Sequence, residues 1–504
     1  MKLLIGVDIG TQGTKAALFD ETGACLASAF QQSMLHRPRP GIVEEDPERQ
    51  LVSVCETIRK CVEQANISPA SVAAIGIAGQ MAGVIGIDKE GLNVTPYDSW
   101  LDTRCTPYIE HMNRIAADEI VAKTGGPASF NHGPKILWWM HERPKVFRSI
   151  CAFVQPAAYA AMRLCGLKAT HAFIDKTYLH FSGFARTVDN AWDEHLCRRF
   201  GVAMEKLPRI VDPHRVVGEL TASMARQCGL AGSVSVVAGC GDTAASFLAC
   251  GATRPGICVD VAGTASVFAA TTTSFVPDVH NKMMSCAHAA TPGLWHVYAY
   301  INGGGLNLEW LRTLLAGADK ERHLTMEELD SEAAKVSIAS APPMFVPHLG
   351  GRVSPSWPML RGACVGLTWS HGRAHLWRAA LEAVALEYAL YRDALAELDP
   401  TLRISEIRVT GGGQKSALWN RLKANALQLP VAQVKRVEGA PLGSALVAGY
   451  GLKLFRDLNQ AAENWIGVAK VIRPDNNLAK WYKSRLERYK ALLKLLYEWS
   501  EKQD

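Results

Sequence analysis

Asp8-Ile-Gly-Thr-Gln-Gly-Thr-Lys15 brings a carboxylate, two hydroxyls, two glycines and an ammonium into one short run. Glycines such as Gly13 let backbone N–H groups approach a phosphate, the hydroxyls of Thr11 and Thr14 can donate to its oxygens, and Lys15 supplies charge. Asp8 has the chemistry to hold Mg²⁺ through its water shell, because that ion takes one or two carboxylates and completes its sphere with water and phosphate oxygens. Gly263-Thr264-Ala-Ser266 repeats the turn far along the chain. One polyphosphate could then be gripped from two walls. Asp242, in Gly239-Cys-Gly-Asp242-Thr-Ala-Ala, is a carboxylate in a small-residue turn entering a helix. Such a group is open to a substrate hydroxyl whose proton it would accept in phosphoryl transfer. Capping is the ordinary use of an Asp at a helix start; the position between two Gly-Thr turns favours the base.

Two weaker turns accompany these. Gly411-Gly412-Gly413-Gln-Lys-Ser416 stands between a strand and a helix, where three glycines would let a flat adenine-ribose unit lie against the backbone, and Gly303-Gly-Gly305 precedes another helical run. Neither is a Rossmann fingerprint, and the chain has no Walker A sequence. Gln80, Trp100 and Asp102 combine an apolar plate with amide and carboxylate groups, which a polyol site requires; core burial of Trp100 and an Asp102–Arg104 ion pair are the plainer alternative. His371 and His375 have i, i+4 spacing but lack the Glu of a metalloprotease motif, so a helix start is expected there rather than zinc.

The elements that must position these residues follow from periodicity. Leu3–Ile9 reads as a buried strand, with a Gly-Thr turn and a partner strand over 16–20. Residues 46–65 read as a helix capped by Asp46 with Pro47 at its first position, and Leu51, Cys55, Ile58 and Val62 on one face. Runs 72–78 and 84–88 read as strands. At an offset of 253, Gly10-Thr11 falls on Gly263-Thr264 and Gly13 on Ser266, so the 256–271 stretch reads as a copy of the first hairpin. Helices are expected over 307–315, 373–397, 416–428 and 477–502, and a strand over 407–409. The whole is an α/β protein of two duplicated domains facing a central cleft, 1–250 and 251–504.

The 54 Lys and Arg exceed the 48 Asp and Glu by +6, with 48% hydrophobic and 20% charged residues. That balance excludes a disordered or low-complexity chain. No basic block marks a nucleic-acid surface, and no apolar run reaches the roughly 18 residues of a membrane span. Thirteen cysteines without a C-x-x-C suggest reduced thiols. The N-terminal apolar run is too short for a signal peptide, with Asp8 interrupting it. A cytoplasmic protein is expected.

Taken in order, these segments resemble the FGGY carbohydrate kinases, within the superfamily of sugar kinases, actin and heat-shock ATPases, over residues 3–450. Glu45-Asp46-Pro47, Gly79-Gln80-Met81 and the passage Gly350-Gly-Arg-Val-Ser-Pro…Gly366-Leu-Thr-Trp-Ser-His371-Gly-Arg-Ala-His375 carry the likeness further. Within the family the chain is most similar to the xylulokinases. The resemblance implies two actin-like (ribonuclease H-like) domains and transfer of phosphate from ATP with Mg²⁺ to a small ketose or polyol. It implies Asp242 as the base and Asp8 as the Mg²⁺-associated aspartate. Thr11, Gly13 and Lys15 become the first phosphate loop, and Thr264 the second. Gly305, Gly412, Gly413 and Ser416 fall around the nucleotide, while Gln80, Met81, Trp100 and Asp102 fall on the sugar side. Xylulokinases usually carry His after Gln-Met, where this chain has Ala82, so D-xylulose is expected to be a poor or secondary substrate. The Arg-Glu pair of glycerol kinases is absent. Expected partners are the sugar and ATP, and a homodimer is the assembly the resemblance allows. The rivals, an actin- or chaperone-like ATPase and an idle sugar-binding regulator, fit the sugar-side set and the retained loops less well.

Overall fold

Strand β1 (Leu3–Ile9) buries nearly every side chain, as its unbroken apolar run requires, and turns back into β2 (Gly13–Phe19). The computed structural model describes residues 2–317 and 324–502. Helix α1 (Pro47–Ala65) starts where the Asp46 side chain accepts from the Glu48 N–H and stops where Asn66 adopts a left-handed φ of 49°. The first sheet is completed by β3 (Cys25–Gln32), β4 (Val72–Gly79), β5 (Val216–Glu219) and β6 (Ser235–Val237), in the order β5-β6-β4-β1-β2-β3. A short strand, Cys240–Gly241, also pairs with β4.

The second sheet repeats this plan. It comprises β7 (Ile257–Ala262), β8 (Ser266–Thr272), β9 (Ser285–His288), β10 (Trp295–Ile301), β11 (Glu406–Thr410), β12 (Val431–Val434) and β13 (Val468–Ile472), in the order β9-β10-β8-β7-β11-β12-β13. In both sheets a leading strand pairs antiparallel with its hairpin partner and parallel with a later strand: β1 with β2 and β4, β7 with β8 and β11. The chain is therefore built on two copies of one α/β plan.

The copies are not register-identical. Ile9 pairs with Thr14 in the first hairpin, but Ala262 pairs with Ser266 in the second, so the second turn is one residue shorter. Ser266 is thus the counterpart of Thr14, not of Gly13 as the constant offset predicts, and Val267 stands where Lys15 would. The second turn carries no cation of its own.

Two helices fill the space between the sheets. Helix α3 (Asp242–Ala249) follows the first sheet in sequence, yet its Phe247 packs on Ile257, Val259 and Ala269 of the second. Helix α7 (Ala440–Gly451) comes late in sequence, and its Leu442, Ala445 and Leu446 pack with Leu4, Ala17 and Ala74 of the first. That approach needs glycine: a Cβ at Gly6 would lie 1.7 Å from the Pro441 carbonyl oxygen, and one at Gly76 2.1 Å from that of Ser444. The packing thus crosses the division expected at 250/251. Outside these layers, α5 (Arg373–Leu398) and α6 (Ala417–Leu427) cover the far face of the second sheet. The terminal helix α8 (Ala479–Ser500) docks on α5 through Tyr482, Leu486, Tyr489 and Leu493.

Candidate active site

Alternation along β1 directs its odd residues to α1 and turns Leu4, Gly6 and Asp8 toward α7 and α3. Lys15 is the cross-strand partner of Asp8 and shares that face. On the other side of β4, Cys240 and Gly241 pair with Ala78 and Gly79, the residues that also pair with Asp8 and Ile9. Gly241 then caps α3 and Asp242 is its first residue. Asp8 and Asp242 therefore leave the sheet at one edge with β4 between them, two strand spacings or about 10 Å at the backbone.

Burial raises both carboxyl pKa values. Asp242 is pushed up to about 6, held back by the N–H and hydroxyl of Thr243, both of which donate to its Oδ1. Asp8 is pushed up to about 8 by burial and then by the negative charge of Asp242, with Lys15 opposing. Asp8 Oδ1 is buried and has no hydrogen-bond partner. Among the described residues Lys15 is the one cation set against the charges of Asp8 and Asp242, and a divalent cation beside the unpartnered oxygen would add the counter-charge this pair needs. No group of three or more His, Cys, Asp and Glu with metal-ligand geometry occurs among the described residues. One aspartate completed by water and phosphate oxygens is what Mg²⁺ accepts, so Asp8 fits that ion.

The first turn differs from expectation in its hydroxyls. Thr14 faces α1, is 3% exposed, and its Oγ1 lies 2.6 Å from Ser53 Oγ, so it offers nothing to a phosphate. The reason is strand alternation: Gly13 and Lys15 take the cleft side, which leaves the α1 side to Thr14. Thr11 Oγ1 accepts from the Trp100 indole at 2.8 Å and donates to Gln80 Oε1 at 3.3 Å. Lys15 Nζ donates to the carbonyl of Glu438, 3.2 Å away, just before α7.

On the second wall, Thr264 is exposed at the tip of its turn. Helix α4 (Gly304–Ala316) begins against that turn, with the N–H of Gly305 donating to the Gly263 carbonyl at 2.9 Å and that of Leu306 to the Thr264 carbonyl at 3.1 Å. From the other side Gly411 and Gly413 abut Ala262, whereas a Cβ at Gly412 would meet nothing within 4 Å. Gly305 and Gly413 are thus packed turn residues, and Gly412 is the open one. Ser416 caps α6 through the Trp419 N–H at 3.0 Å and donates to Asp330. Asp330, which also accepts from the Trp377 indole at 2.7 Å, had no sequence signal.

Of the residues expected on the sugar side, Met81 reaches the turn before Asp242 and Gln80 and Trp100 meet Thr11, but Gln80 and Asp102 are engaged within the protein. Gln80 is 1% exposed and its Nε2 donates to Glu45 at 2.8 Å. Asp102 is fully buried, accepting from Arg104 and from the Val43 N–H at 2.8 Å. Both side chains are thus held by protein partners, Gln80 by Glu45 and Thr11, and Asp102 by Arg104 and the Val43 backbone. Trp100 is 39% exposed, and Met81 reaches to 2.6 Å of a Cβ built at Gly241, directly before Asp242. Glu45 was legible only as part of the Glu45-Asp46-Pro47 landmark, and Thr243 not at all.

Comparison with known proteins identifies the family. The N-terminal domain model of the FGGY family of carbohydrate kinases matches residues 3–249, and the C-terminal domain model matches 258–452. The chain is 25% identical over 505 residues to a xylulose kinase of Staphylococcus epidermidis, covering 98% of this chain and 97% of that one. It is 26% identical over 502 residues to a gluconokinase of Bacillus subtilis, covering 98% and 96%. A solved xylulose kinase from Rhodospirillum rubrum superposes with a TM-score of 0.91 at 26% identity, covering 99% of this chain and all of that one. With both family models matched in order across most of its length, the chain belongs to the FGGY family of carbohydrate kinases.

Proposed function

We propose that the protein transfers the γ-phosphoryl group of ATP, with Mg²⁺, to a hydroxyl of a small ketose or polyol, and that Asp242 is the general base. The observation that carries this is the common end of the first sheet from which Asp8 and Asp242 project on either side of β4, next to the first Gly-Thr turn. A base poised near neutrality is half-way between holding and releasing a proton, the condition for general-base work. Burial gives Asp242 that property. Its carboxylate takes the acceptor proton, Met81 and Trp100 form the walls that orient the sugar, and the two turns with Lys15 face the phosphates. Mg²⁺, which Asp8 would hold, neutralises phosphate charge when bound. Positioning supplies most of the rate in such transfers.

The relatives' names bring two acceptor classes, a ketopentose and an aldonic acid. Ala82 leaves room and no donor where xylulokinases usually place an imidazole, which supports a ketose or polyol other than D-xylulose. A coupled assay of ADP release across D-xylulose, D-ribulose, L-erythrulose, D-gluconate, xylitol and glycerol tests the reading. Release that depends on one or a few of these is expected. Equal release without any acceptor would favour an ATPase, and none at all would overturn the proposal.

A further inference from the structure

Helix α2 (His132–Glu142) carries three buried polar side chains on one stripe. His132, Lys135 and Trp139 stand at i, i+3 and i+7, and are 2%, 0% and 5% exposed. Each donates into a segment of the sugar side. The His132 Nε2–H goes to the Met81 carbonyl. Lys135 Nζ donates to the Ser99 carbonyl at 2.8 Å and the Asp102 carbonyl at 3.3 Å. Trp139 Nε1 donates to Asp98 Oδ2 at 3.1 Å, while Asp98 Oδ1 accepts from the Val84 N–H at 2.8 Å. Trp138 adds a face on which the Arg104 guanidinium lies, 4.9 Å from the ring centroid.

Burying a lysine and a histidine is costly where Leu or Met would fill the same space. Both partner segments, 80–84 and 98–102, lack regular ladders over most of their length, so their carbonyls need donors from elsewhere. A rigid helix offering those donors at fixed spacing holds both loops in one frame. Met81 abuts Gly241 before Asp242, and Trp100 bonds Thr11, so the frame reaches both the base and the first turn.

We infer that His132, Lys135 and Trp139 are positioning residues that set the spacing between Met81–Ala82 and Trp100 and so decide which acceptor fits. The inference rests on the sugar-kinase reading above. Its test uses His132→Phe, Lys135→Met and Trp139→Phe in the full chain, with His132→Gln and Lys135→Arg as variants that keep a donor. Sugar KM should rise about tenfold or more in the first three, as misplacement of a bound reactant costs. Nucleotide KM should stay within about twofold, and the donor-keeping variants should recover much of the loss. A merely structural role would lower the active fraction, and hence kcat, without moving sugar KM. Hydrogen exchange gives a readout independent of turnover: protection should fall at 80–84 and 98–104 and not around 263–265. Unchanged sugar KM in folded variants, or unchanged exchange in those segments, overturns the inference. Absence of sugar phosphorylation by the wild-type protein would instead overturn the functional reading, leaving exchange to judge the helix.

Discussion

Asp242 is where the chemistry is most sharply testable. Replacing it by Asn keeps the shape and removes the base, so kcat should fall at least ~10²-fold while nucleotide binding stays near wild type. Near-normal phosphorylation by Asp242→Asn would remove its assignment. The base acts as a carboxylate, so kcat/KM should fall as pH drops through about 6, the value to which burial raises this group. Thr243→Val deletes a hydroxyl that stabilises the ionised form and should move that acid limb to higher pH. A limb that stays in place would show that Thr243 does not tune the base. Ala82 is the residue-scale handle on specificity. Ala82→His restores an imidazole donor and should raise kcat/KM for D-xylulose relative to the native acceptor, by up to the ~1–3 kcal/mol that a buried unpaired group otherwise costs. Wild-type protein with D-xylulose as clearly its best acceptor would contradict that expectation.

Elements matter here through how closely they approach. Helix α7 lies on β1 and β4 only because Gly6 and Gly76 present no Cβ to its backbone. The obstacle at Gly6 is a carbonyl oxygen, not the flexible end of a side chain. Gly6→Ala therefore forces the helix off the sheet and should cost about 1–3 kcal/mol of stability, the scale of overpacking in a dense core. A chemical denaturation midpoint equal to wild type would mean that the layers have slack. The same helix is tied to the first turn by Lys15, which donates to the Glu438 carbonyl ahead of it. A shift of α7 is thus also a shift of the cation that faces the phosphates, and Gly6→Ala should raise nucleotide KM as well.

At the scale of the molecule, the two Gly-Thr turns stand on different sheets, separated by α3 and α7. A ligand that touches both turns must favour the arrangement in which they are closest. Sugar together with a non-hydrolysable nucleotide should therefore reduce the radius of gyration in solution scattering more than either ligand alone. An unchanged radius with both ligands bound would indicate a preformed cleft. The shorter second turn, with Val267 where Lys15 would stand, makes the two walls unequal in charge. Lys15→Met should consequently weaken nucleotide binding more than any single change at 263–265.

Local patterns determined a good deal of this protein. The first hairpin, the Asp46-capped helix, the long helix from Arg373 and the docked C-terminal helix were legible because each is written in apolar periodicity and capping residues within its own span. The duplicated Gly-Thr turn was legible as a repeat, and the segment order carried the family. What the tertiary structure decided involves partners far apart in sequence. Thr14 looked like a phosphate donor until α1 covered its face, and Gln80 looked free until Glu45 engaged it, while for Asp102 the fold chose the ion pair with Arg104 that the sequence offered as one of two readings. The crossing of α3 and α7 between the sheets rests on contacts such as Lys15 with Glu438, 423 residues apart. Periodicity tells which face of an element is buried, but not which element buries it. Only the assembled layers determine which polar groups remain to meet a substrate.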